Sequence, residues 1–115
     1  MTSPHDVPTA AELVEAVREW LERDVAPEAV GRLRFHARVA VNMLAIVERE
    51  LVLGPAQAEA HAERLARFGV ADDAELARRI RAGELDDRLD EVKAAVAASV
   101  RDKLTVANPR YLDTP

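Results

Sequence analysis

A chain of 115 residues with a hydrophobic fraction of 49% is long enough to bury one core. It contains no Cys, which excludes a disulfide framework, a thiolate nucleophile and a Cys-based metal site. The net charge of −5 argues against a general nucleic-acid binder, because phosphate contacts require a clustered cationic surface. No apolar run approaches the roughly 18 residues of a membrane-spanning helix. We therefore expect one cytoplasmic domain over residues 1–115, with neither nucleic acid nor membrane as a partner.

The first predicted helix covers residues 10–25 and follows an irregular tail over residues 1–8. Thr9 and Glu12 have the spacing of a capping box, in which each side chain accepts a hydrogen bond from the other residue's backbone N–H. Apolar residues then recur at helical spacing until Pro27 stops the helix. Acidic side chains fill the opposite face, so this helix should attract a basic neighbour.

The longest apolar-periodic stretch predicts a second helix over residues 32–53, which ends at Gly54-Pro55. This helix is apolar over more than half of its circumference, as is typical of a central helix or an interface. Its first apolar stripe consists of Leu33, Ala37, Ala40, Leu44, Val47 and Leu51. A second stripe exceeds what the neighbouring helices can cover, which makes it a candidate interface, and it consists of Phe35, Val39, Met43 and Ile46.

Three further helices complete the predicted fold. Pro55 begins a short helix over residues 55–68, and a cap formed by Asp72 and Glu75 begins another over residues 73–82. The last helix covers residues 85–107, ends at Asn108-Pro109, and leaves residues 109–115 as an irregular tail. Its expected buried seam consists of Leu85, Leu89, Val92, Val96 and Val100.

The pattern as a whole predicts an all-α protein without strands, because neither period-2 alternation nor hairpin turn signals occur. The expected architecture is an irregular helical bundle. It combines three long helices, over residues 10–25, 32–53 and 85–107, with two short ones, over residues 55–68 and 73–82.

Strong catalytic signatures are missing, so we expect no catalytic residue, no metal ligand and no cofactor. The clearest polar feature is a basic ribbon on the second helix, formed by Arg34, Arg38, Asn42 and Arg49. Guanidinium groups bind phosphate or carboxylate bidentately, which is the chemistry of an anion site. Alternatively, the ribbon pairs with the acidic first helix or faces water.

Three other polar residues stand out by their positions. His36 falls inside the apolar arc of the second helix, which predicts a buried imidazole that is either structural, a proton relay or a ligand. A general-base role for His36 is the weakest reading, because no nucleophile, metal or oxyanion arrangement accompanies it. Lys103 continues the seam of the last helix, either as a site residue or as a cation that stabilises the helix C-terminus. Asn108 can cap that helix.

Three segments, residues 4–21, 31–50 and 100–112, resemble a bacterial family of domains of unknown function. Members of that family are encoded beside or fused to aminoglycoside-phosphotransferase-like kinases, and often near acyl-CoA dehydrogenases. The similarity spans nearly the whole chain and is weakest over residues 55–84. The family-like positions include Phe35, His36, Arg38, Asn42 and Glu48, and near the end Arg101, Lys103, Asn108, Pro109 and Tyr111. The resemblance implies an accessory role in acyl-CoA or hydroxyacyl catabolism.

Two functions of different classes follow. The first is a non-catalytic accessory domain that docks on a kinase-like or dehydrogenase partner, or on itself as a homodimer, through the second apolar stripe. The second is a small-molecule binding module in which Arg34, Arg38 and Lys103 hold the phosphates of a nucleotide or a coenzyme A thioester. His36, Asn42 and Asn108 are further candidate ligand contacts of such a module.

Overall fold

The computed structural model describes residues 7–113 of the chain, and within this range it contains helices and no strand. The predicted all-α class is therefore confirmed. The four α-helices of the described part are α1 (Ala10–Trp20), α2 (Gly31–Arg67), α3 (Asp73–Arg81) and α4 (Leu89–Ala107). None of these helices combines the length and the apolar character that crossing a lipid bilayer requires. The chain divides into two compact units, Met1–Leu53 and Gly54–Pro115.

The predicted start of the first helix is confirmed in atomic detail. The Thr9 N–H donates to Glu12 Oε1 at 3.0 Å, and the Glu12 N–H donates to Thr9 Oγ1 at 3.1 Å. The hydrogen bond from the Thr9 backbone lowers the pKa of the Glu12 carboxyl group. A π-helical turn over Leu21–Val25 continues α1, so the helical stretch ends at Val25, as the position of Pro27 predicted.

The predicted break at Gly54-Pro55 is wrong, because α2 is one helix of 37 residues that contains Pro55. Pro55 removes a single backbone donor, the one that would reach the Leu51 carbonyl. The residues that follow are strong helix formers, Ala56, Ala58, Ala60 and Ala62. Side chains from the turns beyond Pro55 also bind α4, so tertiary contacts hold these turns in helical conformation.

In the first unit, α1 and the N-terminal part of α2 lie antiparallel. The Arg18 guanidinium bridges the helices by donating from Nε and Nη2 to the Glu48 carboxylate, and its Nη1 lies 3.3 Å from Glu22 Oε1. The hydrogen bond with Glu48 raises the pKa of Arg18. The buried residues of this unit are all small, namely Ala26, Ala29 and Ala37. Within residues 7–53, no large apolar side chain is buried.

The second unit has a larger apolar core, formed by Leu65, Phe68, Val70, Leu76, Leu85 and Val92. Two Schellman turns, at Gly69 and Gly83, end α2 and α3 and bring the chain back over this core. Both glycines have positive φ, 67° and 80°, in the left-handed region that residues with a Cβ avoid. The side chain of Asp72 accepts from the Glu75 N–H at 2.8 Å, which confirms the predicted cap of α3.

The predicted seam of the last helix is only partly correct. Val92 and Leu85 are buried, whereas Leu89, Val96 and Val100 are exposed. The side of α4 that packs in this unit instead carries Val92, Ala95, Ser99 and Asp102, since the latter two bind α2 residues. Ala95 and Ser99 are small residues, so this side of α4 leaves room for side chains of α2. A 3-10 turn over Asp86–Arg88 precedes α4, and another over Pro109–Asp113 occupies most of the expected irregular tail.

Candidate functional site

A cleft in the first unit lies between the C-terminal end of the α1 stretch and the first turns of α2. Its volume is about 420 Å³, within the usual range for small-ligand sites. The lining residues are Glu22, Ala26, Pro27, Arg34, Arg38, Val41 and Asn42. The structure thus brings together three residues of the predicted basic ribbon.

Helical spacing explains this convergence. Arg34, Arg38 and Asn42 follow one another at intervals of four residues, so they form a row along one side of α2. The antiparallel approach of α1 places Glu22 opposite that row, and buried Ala26 lies beside it. The result is a partly apolar hollow with guanidinium and amide groups along one wall.

The two arginines of the cleft favour the binding of an anion, and one carboxylate, that of Glu22, opposes it. Within residues 7–113, neither Arg34 nor Arg38 has a carboxylate partner at ion-pair distance. The predicted alternative, pairing with the acidic first helix, therefore does not occur for these two residues among the described carboxylates. Glu22 is the acidic residue of the cleft, and its carboxylate contacts Arg18. That contact partly neutralises the charge an incoming anion would meet.

His36 is not buried, although its position in the apolar arc of the second helix predicted that it would be. Its side chain is exposed, its ring makes an edge contact with Phe35 at 5.6 Å between centroids, and its Nε2 accepts from Arg32 Nε at 3.2 Å. The apolar arc of α2 is wider than the surface that α1 covers, so a residue within the arc still reaches solvent. A buried proton relay at His36 is thus excluded.

Lys103 and Asn108 belong to the second unit. Lys103 is exposed and continues the exposed row of Leu89, Val96 and Val100, so the expectation that it follows a buried seam is wrong. Asn108 ends α4, where its backbone N–H donates to the Leu104 carbonyl. Their convergence with Arg34 on one ligand stays a prediction.

The second apolar stripe of α2 forms what we call the docking row, Phe35, Val39, Met43 and Ile46. Phe35 and Met43 are 64% and 61% exposed, Val39 is also exposed, and Ile46 is half-buried. By helical spacing, the row points away from the side of α2 on which Ala37 and Glu48 meet α1. Phe35, Val39 and Met43 therefore face solvent.

A polar chain in the second unit had no signal in the sequence. His61 Nδ1 lies 3.2 Å from Ser99 Oγ, and His61 Nε2 lies 3.0 Å from Asp73 Oδ1, which links α2, α3 and α4. These are the residue types of a nucleophile, a base and an orienting acid. Ser99 lies in the middle of α4, however, where backbone N–H groups bond within the helix and cannot form an oxyanion hole. The arrangement supports helix packing rather than acyl transfer.

Nearby, the Arg64 guanidinium donates from Nη2 to Asp102 Oδ2 at 2.8 Å, and the Gln57 amide donates to the Asp102 carbonyl at 3.0 Å. The partners are separated by 38 and 45 residues, so no local spacing rule reveals them. Within the described part of the chain, no group of three or more His, Asp or Glu residues could hold a metal ion.

Comparison with known proteins identifies a family. The model of a family described as Domain of unknown function (DUF6285) matches residues 27–111. No curated protein and no solved structure matches the chain.

Proposed function

We propose that this chain, which belongs to the DUF6285 family of domains of unknown function, is a non-catalytic protein-interaction domain. The observation that carries the proposal is the exposure of the docking row, in which Phe35 and Met43 present most of their side chains to solvent. Aromatic and Met side chains are enriched in the buried centres of protein interfaces. Burial of this row would gain about 25 cal/mol for each Å² removed from water.

The proposed partner is a kinase-like phosphotransferase or an acyl-CoA dehydrogenase encoded beside this chain. Support comes from the resemblance of residues 31–50 and 100–112 to a bacterial family with such neighbours. Phe35 belongs both to the docking row and to those family-like positions. A role in acyl-CoA metabolism and a cytoplasmic location are parts of this proposal, since both kinds of partner act on cytoplasmic metabolites.

Co-expression of the chain with each neighbouring gene product tests the proposal. We expect a stable complex in size exclusion with light scattering. Phe35→Ala should weaken it by about 2 kcal/mol, roughly thirtyfold in Kd, because an aromatic residue at the centre of an interface is a typical hot spot. Val52→Ala is the matched control, since Val52 is an exposed apolar residue of α2 outside the docking row.

Separate elution of the wild-type chain from both neighbours would refute the choice of partner. An equal loss of affinity in Phe35→Ala and Val52→Ala would refute the choice of surface, because the two residues lie on different sides of the helix.

A second candidate function rests on the cleft. Arg34, Arg38 and Asn42 line a hollow of about 420 Å³, which suits the phosphate group of a nucleotide or of coenzyme A. Under this alternative, the chain is a small-molecule binding module, and Lys103 in the second unit is a further proposed phosphate contact.

Calorimetric titration with ADP, coenzyme A and inorganic phosphate tests the cleft. Arg34→Ala and Arg38→Ala should each reduce affinity about tenfold or more, because a hydrogen bond to a charged group contributes about 1.5–3 kcal/mol. Glu22→Gln should increase affinity, since it removes the negative charge that faces the anion. Arg32→Ala, on another side of α2, should leave binding unchanged. Absence of heat with all three probes, or an effect of Arg32→Ala equal to that of Arg38→Ala, would count against the site.

A further inference from the structure

The first unit exposes a second apolar surface, distinct from the docking row, on one side of the α1–α2 pair. We call it the hairpin face and define it by residues of α1 and α2, namely Leu13, Val17, Trp20, Leu33, Val47 and Leu51. These six side chains are between 39% and 65% exposed. Within residues 7–53 the fully buried side chains are all alanines, so none of the large apolar side chains described there is fully buried.

The contacts of the first unit fix the rotation of both helices. Glu22 of the α1 stretch and Arg38 of α2 line the cleft together, and Arg18 binds Glu48 between the helices. Helical spacing places the row of Leu13, Val17 and Trp20 on α1 roughly opposite Glu22, which lies in the π-helical turn that follows α1. The same spacing places Leu33, Val47 and Leu51 roughly opposite Arg38 on α2. Both rows therefore lie on the side of the helix pair away from the cleft.

We propose that the hairpin face binds the hairpin face of a second copy of this chain, so that two α1–α2 pairs form a four-helix interface. The six side chains expose on the order of 600 Å² per copy, so their complete burial in two copies would remove about 1,200 Å² from water, the lower end of the range for stable interfaces. The occupant is a second copy because the face is self-complementary. No charged residue belongs to either row, and a two-fold interface places the same patch on both partners.

The dimer would give the first unit a core of large apolar side chains. Two stacked helix pairs enclose a core between them, which is the architecture of four-helix bundles. Trp20, the single Trp of the chain, passes from solvent into this interface. The inference does not depend on the docking row, because that row points to another side of α2.

Sedimentation equilibrium and Trp20 fluorescence of the purified chain test the dimer together. We expect a mass of twice 12.6 kDa at high concentration. On dilution, dissociation should shift Trp20 emission to longer wavelength at the concentration where the mass falls. A monomer at every concentration, with constant Trp20 emission, would overturn the proposal.

Val17→Glu and Val39→Glu form a matched pair of variants, since both replace an exposed helical Val by the same acid. Val17→Glu should raise the dissociation constant of the dimer on the order of a hundredfold, because it would bury an unpaired carboxylate in the interface. Val39→Glu, in the docking row, should leave the dissociation constant unchanged. Circular dichroism checks that each variant retains its helices. If Val17→Glu loses its helices, Leu33→Glu replaces it as the test variant. Dilution of the wild-type chain then tests the dimer without any substitution. A dimer that survives Val17→Glu but is broken by Val39→Glu would place the interface on the docking row and refute the hairpin face.

Discussion

Replacing Phe68 with alanine is expected to lower the free energy of unfolding of the second unit by about 3–5 kcal/mol. Phe68 is only 4% exposed and packs among the core residues contributed by α2, α3 and α4. The Arg88 guanidinium lies 4.8 Å from the centre of its ring, a cation–π contact worth about 0.5–2 kcal/mol. The substitution would therefore remove a buried ring and leave a cavity beneath a charged group.

Urea unfolding followed by circular dichroism measures this loss. Phe35→Ala is the control, since Phe35 is exposed in the first unit, and its effect should stay within about 0.5 kcal/mol. Equal effects of the two substitutions would show that Phe68 is not the centre of a core.

The second large effect is expected at the ion pair of Arg64 and Asp102. The Arg64 side chain is 14% exposed, and its Nε has no hydrogen-bond partner among the described residues. Asp102→Ala would leave a poorly hydrated guanidinium without its carboxylate. We expect a loss of about 1–3 kcal/mol, below the 3–5 kcal/mol of a fully buried pair, because the Asp102 side chain is 33% exposed.

A double-mutant cycle with Arg64→Met measures the coupling. The double variant should be more stable than the sum of the single losses predicts, because Met removes the unpaired charge and keeps much of the apolar stem. Asp87→Ala, which removes an exposed carboxylate of the same unit, should change stability by less than about 0.5 kcal/mol. Strict additivity of the Arg64 and Asp102 effects would refute the importance of the pair.

Local signals in the sequence predicted the local structure well. The caps at Thr9 and Asp72 each depend on two residues three positions apart, and both are confirmed. The exception is Gly54-Pro55. A proline indicates a missing hydrogen bond, but the contacts of Gln57, His61 and Arg64 that keep α2 continuous come from partners far along the chain.

Rotation about the helix axes was harder to predict. A helical wheel shows which residues share a side, as for Arg34, Arg38 and Asn42, which do line one cleft. It does not show which side a neighbour covers when apolar residues extend over most of the circumference. For this reason, His36 was expected to be buried and Lys103 was placed on the seam of the last helix, whereas both side chains are exposed.

Pro55 interrupts the backbone hydrogen bonds that protect the amide hydrogens of α2 from exchange with solvent. Proline has no amide hydrogen, so α2 lacks one backbone hydrogen bond at this position. The Leu51 carbonyl must therefore accept a hydrogen bond from water or from another donor. Gly54 adds a further cost of about 1 kcal/mol relative to alanine. Transient opening of the helix requires less free energy at this point than in the turns on either side. A helix that is continuous in geometry thus behaves as two cooperative segments, and amide hydrogens near residue 54 should exchange with solvent faster than those in the middle of each segment.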